Sequence, residues 1–479
     1  MTTSGSSTPH VVIVGGGIAG LAAAFFLRDE PVRVTVLEGA QRLGGKLSAS
    51  EVAGVPMDEG AEALLARRPE GTELITATGA GADLVPAGTT SSAIWSRGAM
   101  RALPRRQFMG VPTNIGELAA TGILSADGIT RARQEATVER DGDIPVAQYI
   151  GRALGTEVVD RLVDPLLGGV YAGRSEDLSF EATLAPLAAA ARKHPVLTQA
   201  AATLMPPRPA DPSARPAPVF VTLTSGLGAL PAMVAKASGA EVRTSAMVRD
   251  LGRTPDGWRL TIGSAADPEY LNADAVILAC PAAPAARLLA ASTPAASAAL
   301  GEIPYASMAI IALAYRAADW PATDRSGYLV PAVDGKAVKA ATFSTIKWPH
   351  LARAAQDAGR GVAVVRCSIG RMGEVALLQR DDKDLVSLAA AELAEATGVT
   401  GAPVEWRVTR WGGGLPQYNV GHLDRVARVR AAVAGQPGLA VAGAAYDGVG
   451  IPACIATARQ AVGQVVTQLR DRGASQTQG

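Results

Sequence analysis

A chain of 479 residues with 45 Lys and Arg against 44 Asp and Glu has room for two or three domains and no basic excess, which argues against a nucleic-acid partner. Its three cysteines, Cys280, Cys367 and Cys454, lie far apart and form no C-x-x-C pair, so they read as reduced, buried thiols of a cytoplasmic protein. The four histidines, at 10, 194, 350 and 422, share no ligand spacing, and no metal site is expected.

The polar start up to His10 lacks the basic segment of a secretory signal. The apolar run Val11 to Leu27 is broken by four glycines and ends at Arg28, Asp29 and Glu30, so no membrane span is expected, while one-sided contact with a membrane surface stays open. Within that run, Val11 to Val14 reads as a buried strand, and Gly15, Gly17 and Gly20 stand in G-x-G-x-x-G spacing before a helix from Leu21. This is a dinucleotide pattern: Gly15 permits the turn, Gly17 lets a pyrophosphate approach the backbone, and Gly20 lets helix and strand pack closely. Val32 to Leu37 alternates as a second strand and ends at Glu38, where a carboxylate would accept hydrogen bonds from an adenosine ribose. Arg42, Gly44, Gly45 and Lys46 then form an R-x-G-G-K turn suited to closing over the pyrophosphate from its second side, which favours non-covalent FAD over NAD. An ordinary glycine loop with solvated charges is the alternative.

Val52 to Gly60 is hairpin-like and leads into Gly60, Ala61 and Glu62, small residues that suit the approach of a flat ring. Arg67 and Arg68 follow, and composition alone reads them as a solvated pair. From Gly116 to Ala202 the pattern is helical, with Val146 to Val163 interrupted by the glycine-rich Asp164 to Gly173. The proline-rich Met205 to Pro218 can form neither helix nor sheet and reads as a mobile loop. Gly226 to Lys236 returns as helix, and Glu241 to Leu251, Trp258 to Ile262 and Ala273 to Ala279 as strands, which makes the nucleotide domain discontinuous. Ile303 to Tyr315 and Val362 to Ile369 suggest a second sheet, covered by an amphipathic helix Asp384 to Thr397 that buries Leu385, Leu388 and Leu393. Arg410 to Tyr418 is too irregular for either periodic element. Leu439 to Ala442 reads as a strand, and the turn Asp447 to Pro452 opens a helix from Ala453 to Leu469, a second place for anionic or flavin oxygens. After Arg472 the tail is polar and expected to be disordered.

From Val11 to about Leu469 the chain resembles the HemY-type porphyrinogen oxidases of the flavin amine oxidase and phytoene desaturase superfamily. The Gly15 to Gly20, Glu38 and Arg42 to Gly45 set is general to the superfamily. Pro165 to Gly173, Leu415 to Tyr418 with Gly421 and His422, and Gly448 to Cys454 are similar to porphyrinogen oxidase segments in particular. The resemblance implies an α/β fold with a Rossmann-like FAD-binding domain (9–72, 222–295, 406–472), a mixed-sheet substrate domain (73–98, 296–405), a helical domain (99–204), the mobile loop 205–218, and disordered tails 1–8 and 473–479. It implies that Gly15, Gly16, Gly17, Ile18, Ala19, Gly20, Glu38, Gly39, Lys46, Gly60, Ala61, Glu62, Ala63, Val248, Trp411, Val449, Gly450 and Ile451 line the flavin. It raises Arg68 to a propionate ligand and sets Tyr418 beside the macrocycle or flavin, with core packing as the alternative for Tyr418. The implied activity is conversion of coproporphyrinogen III to coproporphyrin III in three two-electron steps, with oxygen as acceptor, peroxide as by-product and a ferrochelatase downstream. Protoporphyrinogen IX is the alternative substrate, and amine oxidase, desaturase and non-enzymatic flavoprotein readings stand behind it.

Overall fold

The computed structural model describes residues 8–206 and 218–477, so most of the proline-rich stretch and the outermost tails lie outside the described residues. The β-branched run His10–Val14 is buried throughout and forms the centre of a five-stranded parallel sheet. The strand order is Glu241–Arg243, Arg33–Leu37, His10–Val14, Ala275–Leu278 and Leu439–Val441, so three distant pieces of chain build one layer. Alternation decides its two faces. Val11 and Ile13 face the helix Ile18–Leu27 and the last helix, Ile451–Thr477, while Val12 and Val14 face the helices Ala282–Leu289 and His422–Ala434. The alanine-rich first helix lets the last one lie close along it.

A seven-stranded mixed sheet has the order Glu405–Pro416, Tyr305–Arg316, Val362–Ile369, Val338–Phe343, Gly327–Leu329, Ser92–Ser96, Ala99–Ala102. The helix Asp382–Thr397 covers one face with Leu385, Val386, Ala389 and Leu393; Leu388, expected on that side, is only half-buried. The helical layer has its own core, drawn mainly from Leu118 to Ala201 with Ile94, Phe108, Val111 and Tyr418 packed into it.

Several sequence expectations change. Glu241 to Leu251 is two strands, because the chain turns through Ser245 at φ 53 and enters a separate antiparallel sheet at Val248–Thr254. Arg410 to Pro416 is the end of a strand: the long neighbour Tyr305–Arg316 pairs Met308 with Trp411 and Ala306 with Leu415, so the three glycines between them form the bulge at the register shift. Asp164–Tyr171 is helical, opened by Pro165 and held by burial of Leu167 and Tyr171, and it ends where Ala172 turns left-handed. Ala99–Ala102 pairs with Ser92–Ser96, so the sheet extends past the boundary expected at 98. The final helix continues through 473–477, which were expected in a disordered tail.

Candidate flavin site

The first turn is made of glycines with different duties. The Gly15 N–H bonds Leu37 O at 2.8 Å, and a Cβ there would stand 2.7 Å from Ala279 O. A Cβ on Gly20 would fall 1.9 Å from Gly15 O, so close packing of strand and helix excludes any side chain. Gly17 differs: its φ is −74°, and an added Cβ meets nothing within 4 Å. It caps the first helix without a side chain, and the first turn carries no acid. The protein thus leaves an open volume against the peptide N–H groups of Ile18, Ala19 and Gly20, at the positive end of the helix, which fits a pyrophosphate.

Glu38 lies beside this turn. Its Oε2 accepts from Gly16 N at 2.7 Å and its Oε1 from Ala40 N at 2.8 Å, leaving carboxylate lone pairs for a ribose. A Cβ on Gly39 would meet only the flexible end of the exposed Met247 side chain, Cε at 2.5 Å, and Val248 lies buried just beyond. The second glycine turn returns to the first: Gly44 N–H bonds Gly16 O at 2.8 Å, and Gly45 is exposed next to Gly17. Arg42, expected to face the pyrophosphate, directs its guanidinium to the carbonyls of Leu43, Gly45 and Leu47, so it shapes the turn. Lys46 is half-buried, and desolvation lowers its pKa against the opposing influence of Cys454.

Gly60 and Ala61 come up against Lys46. A Cβ on Gly60 would overlap Lys46 O at 1.7 Å, and Trp411 Cζ2 would be 3.5 Å away. Trp411 Nε1 donates to Glu59 O at 2.8 Å, and Arg407 Nε to Glu59 Oε1 at 2.5 Å. Ala63 is half-buried and packs at the edge of the cluster around Trp348. Glu62, expected to line the flavin, has its carboxylate taken by two cations: Lys347 Nζ at 2.6 Å and Arg366 Nη1 at 2.5 Å. These hold its pKa at about 2 despite burial. Arg366 Nη2 also donates to Gly60 O at 2.7 Å. Sequence reasoning missed Arg366, Lys347 and Arg407; the readable signal was Arg366, the single charge in the apolar strand Val362–Ile369.

The C-terminal turn is built onto Tyr418. The Tyr418 hydroxyl donates to Ala444 O at 2.6 Å and accepts from Gly448 N at 2.7 Å, while its ring stacks on His422 at 3.8 Å. Being 1% exposed, Tyr418 reaches no open volume; it holds the turn, which is the core alternative. Burial lowers the pKa of His422 to about 4, so the stacked ring is neutral at physiological pH. Beyond the turn, Val449 is half-buried, Gly450 is exposed and Ile451 is buried at the start of the last helix. Arg68 precedes the helix Pro69–Ala77, which packs on that last helix; its side chain is 45% exposed and pairs with Glu70 at 2.6 Å. Arg67 is exposed.

Comparison with known proteins agrees with this arrangement. Residues 18–466 match the family model of flavin containing amine oxidoreductases. A coproporphyrinogen III oxidase of Mycobacterium tuberculosis is 37% identical over 470 residues, covering 95% of this chain and 97% of the relative. One from Bacillus subtilis is 30% identical, covering 96% and 98%. A solved structure from Exiguobacterium, provisionally assigned as a protoporphyrinogen oxidase, superposes with a TM-score of 0.83 at 29% identity, covering 97% of this chain and 100% of that one. Glycine turns shaped for a pyrophosphate, an acid placed for a ribose and these likenesses together make the protein an FAD-dependent oxidoreductase: the chain belongs to the flavin-containing amine oxidoreductase family, on the branch of the HemY-type porphyrinogen oxidases.

Proposed function

We propose that the protein oxidises coproporphyrinogen III to coproporphyrin III in three two-electron steps, with oxygen as acceptor and hydrogen peroxide as by-product. One observation carries this reading: three segments similar to porphyrinogen oxidases, far apart in sequence, meet at one seam. Gln417 Nε2 donates to Tyr171 O at 2.8 Å, the Tyr171 and Tyr418 rings lie 5.5 Å apart, and the Tyr418 hydroxyl holds Gly448 N. Gly169 on the same helix is exposed beside Leu329 of the substrate sheet, so sheet, helical layer and C-terminal turn adjoin there.

FAD, when bound, supplies the two-electron acceptor. The reduced macrocycle supplies the rest: electron-rich pyrroles stabilise the cation that develops as a methylene bridge gives up hydride, and a pyrrole N–H releases the proton. The chain's part is therefore placement. Arg68, released from Glu70, offers a planar fork to a propionate. A cytoplasmic setting and a ferrochelatase as consumer of the product follow from this reading. Among the described residues no helix is long and apolar enough to cross a membrane.

Anaerobic mixing of the flavin-loaded protein with coproporphyrinogen III should bleach the flavin absorbance, and absence of bleaching overturns the reading. Protoporphyrinogen IX is the second reading, favoured by the Exiguobacterium likeness. Rates measured side by side decide between them, with coproporphyrinogen expected to be the faster.

A further inference from the structure

The cluster of Arg366, Glu62 and Lys347 has no part in the chemistry above, yet it is buried and charged. Arg366 is 7% exposed and stands on the strand Val362–Ile369, an interior strand of the seven-stranded sheet. Its Nη1 meets Glu62 at 2.5 Å, its Nη2 meets Gly60 O at 2.7 Å, and its Nε is buried without a partner. Its hydrogen bonds therefore go to Glu62 and Gly60. Lys347 closes the other side of Glu62 at 2.6 Å, with Phe220 and Trp348 around its ammonium.

A buried ion cluster is a weak source of fold stability, because desolvation offsets most of the attraction and apolar replacements often do as well. What this one does specifically is hold a peptide. Arg366 pins the Gly60 carbonyl while Trp411, from another strand of the same sheet, pins the preceding carbonyl of Glu59. Since each peptide unit is planar, fixing the Glu59 and Gly60 oxygens also fixes the directions of the Gly60 and Ala61 N–H groups, the latter turned inward to Lys46 O at 3.4 Å. Gly60 cannot relax toward Lys46, whose carbonyl already occupies the Cβ direction, and Ala61 is exposed on the open side.

We infer that Arg366 is a positioning residue for the flavin: bridging Glu62 and the Gly60 carbonyl, it orients the Gly60–Ala61 peptides against the ring and so governs FAD affinity and reduction potential. This rests on the reading that Gly60 to Ala63 borders the flavin, and it is tested without any porphyrinogen, so failure of the substrate assignment leaves it untouched. If the wild type bound no FAD, the cofactor assignment would fail first.

The experiment measures FAD dissociation constants and flavin midpoint potentials on holoprotein reconstituted from Arg366→Met, Arg366→Lys and Lys347→Met. Arg366→Met should weaken FAD binding by about tenfold, the scale of a lost charge-assisted hydrogen bond, and lower the potential. Arg366→Lys keeps a cation but cannot bridge two acceptors with a planar fork, so it should also weaken binding, and it serves if Arg366→Met does not fold. Lys347→Met leaves Arg366 on both of its acceptors and should change affinity by less than about threefold. Wild-type affinity and potential in either Arg366 variant overturn the inference. So does an equal loss in Lys347→Met, which would mark the cluster as general packing.

Discussion

The two ends of the proposed flavin site are made in different ways. The phosphate end is backbone: residues 15–20 and 44–46 offer peptide N–H groups and missing side chains, and Glu38 is its one carboxylate. The ring end is side chain: Glu59, Gly60 and Glu62 are held by Trp411, Arg407, Arg366 and Lys347, over sequence separations of 285 to 352 residues. A backbone site tolerates neighbours but not a Cβ in the wrong place. A side-chain site tolerates small shifts of shape but not the loss of the partner that pins its backbone, which here is Arg366 on Gly60 O and Trp411 on Glu59 O.

The sharpest break of that comparison is a pair of glycine substitutions. Gly20→Ala puts a Cβ 1.9 Å from Gly15 O, a backbone overlap that no rotamer change relieves, and should destabilise the apoprotein by about 3 kcal/mol or more, read as a lower Tm. Gly17→Ala meets nothing within 4 Å, so apoprotein stability should stay within about 1 kcal/mol. FAD affinity should nevertheless fall by about tenfold or more, because the methyl enters the volume left for phosphate. Undiminished flavin binding by Gly17→Ala would show that the phosphates lie elsewhere.

The ring end should show itself in pH. Glu62, with its pKa lowered to about 2, contributes stability that is present above the ordinary carboxylate range and is lost as pH falls toward 2. Asp58, at the end of the hairpin Ala49–Asp58, has its pKa raised to about 6 mainly by burial, although it accepts from Leu227 and Gly228 N–H groups. Its contribution has the opposite sign: it is present below the ordinary value and is lost as pH rises through about 6. Chemical denaturation across pH 3 to 7 should therefore lose its acid limb in Glu62→Gln and its decline near pH 6 in Asp58→Asn. An unchanged acid limb in Glu62→Gln would detach the ion cluster from stability.

The smallest effect belongs to Arg68→Ala. The side chain is 45% exposed and its pairing with Glu70 is a surface ion pair, so stability and flavin content should not change, while KM for coproporphyrinogen rises about threefold. Unchanged kinetics would return Arg68 to the surface.

What was legible in the sequence follows the same division. The phosphate end is local: strand, turn, helix, second strand and Glu38 all fall within residues 10–38, and each glycine states a steric need that can be read from spacing. Where a partner decided the outcome, local reading failed. Three glycines at 412–414 look like a loop until the strand Tyr305–Arg316 is laid beside them. Asp164 to Gly173 looks like a break until Leu167 and Tyr171 find a core. Glu62 shows no partner in its own neighbourhood until Arg366 arrives from the strand Val362–Ile369 and Lys347 from the short helix Ser344–Lys347.

By itself, then, the sequence determined the cofactor and the glycine turn proposed for its phosphates, because backbone geometry at such a turn is a property of consecutive residues. The tertiary structure decided which side chains hold the ring end and what Tyr418 does. Charge pairing and burial depend on residues hundreds of positions apart, and a chain read in order gives no distance between them.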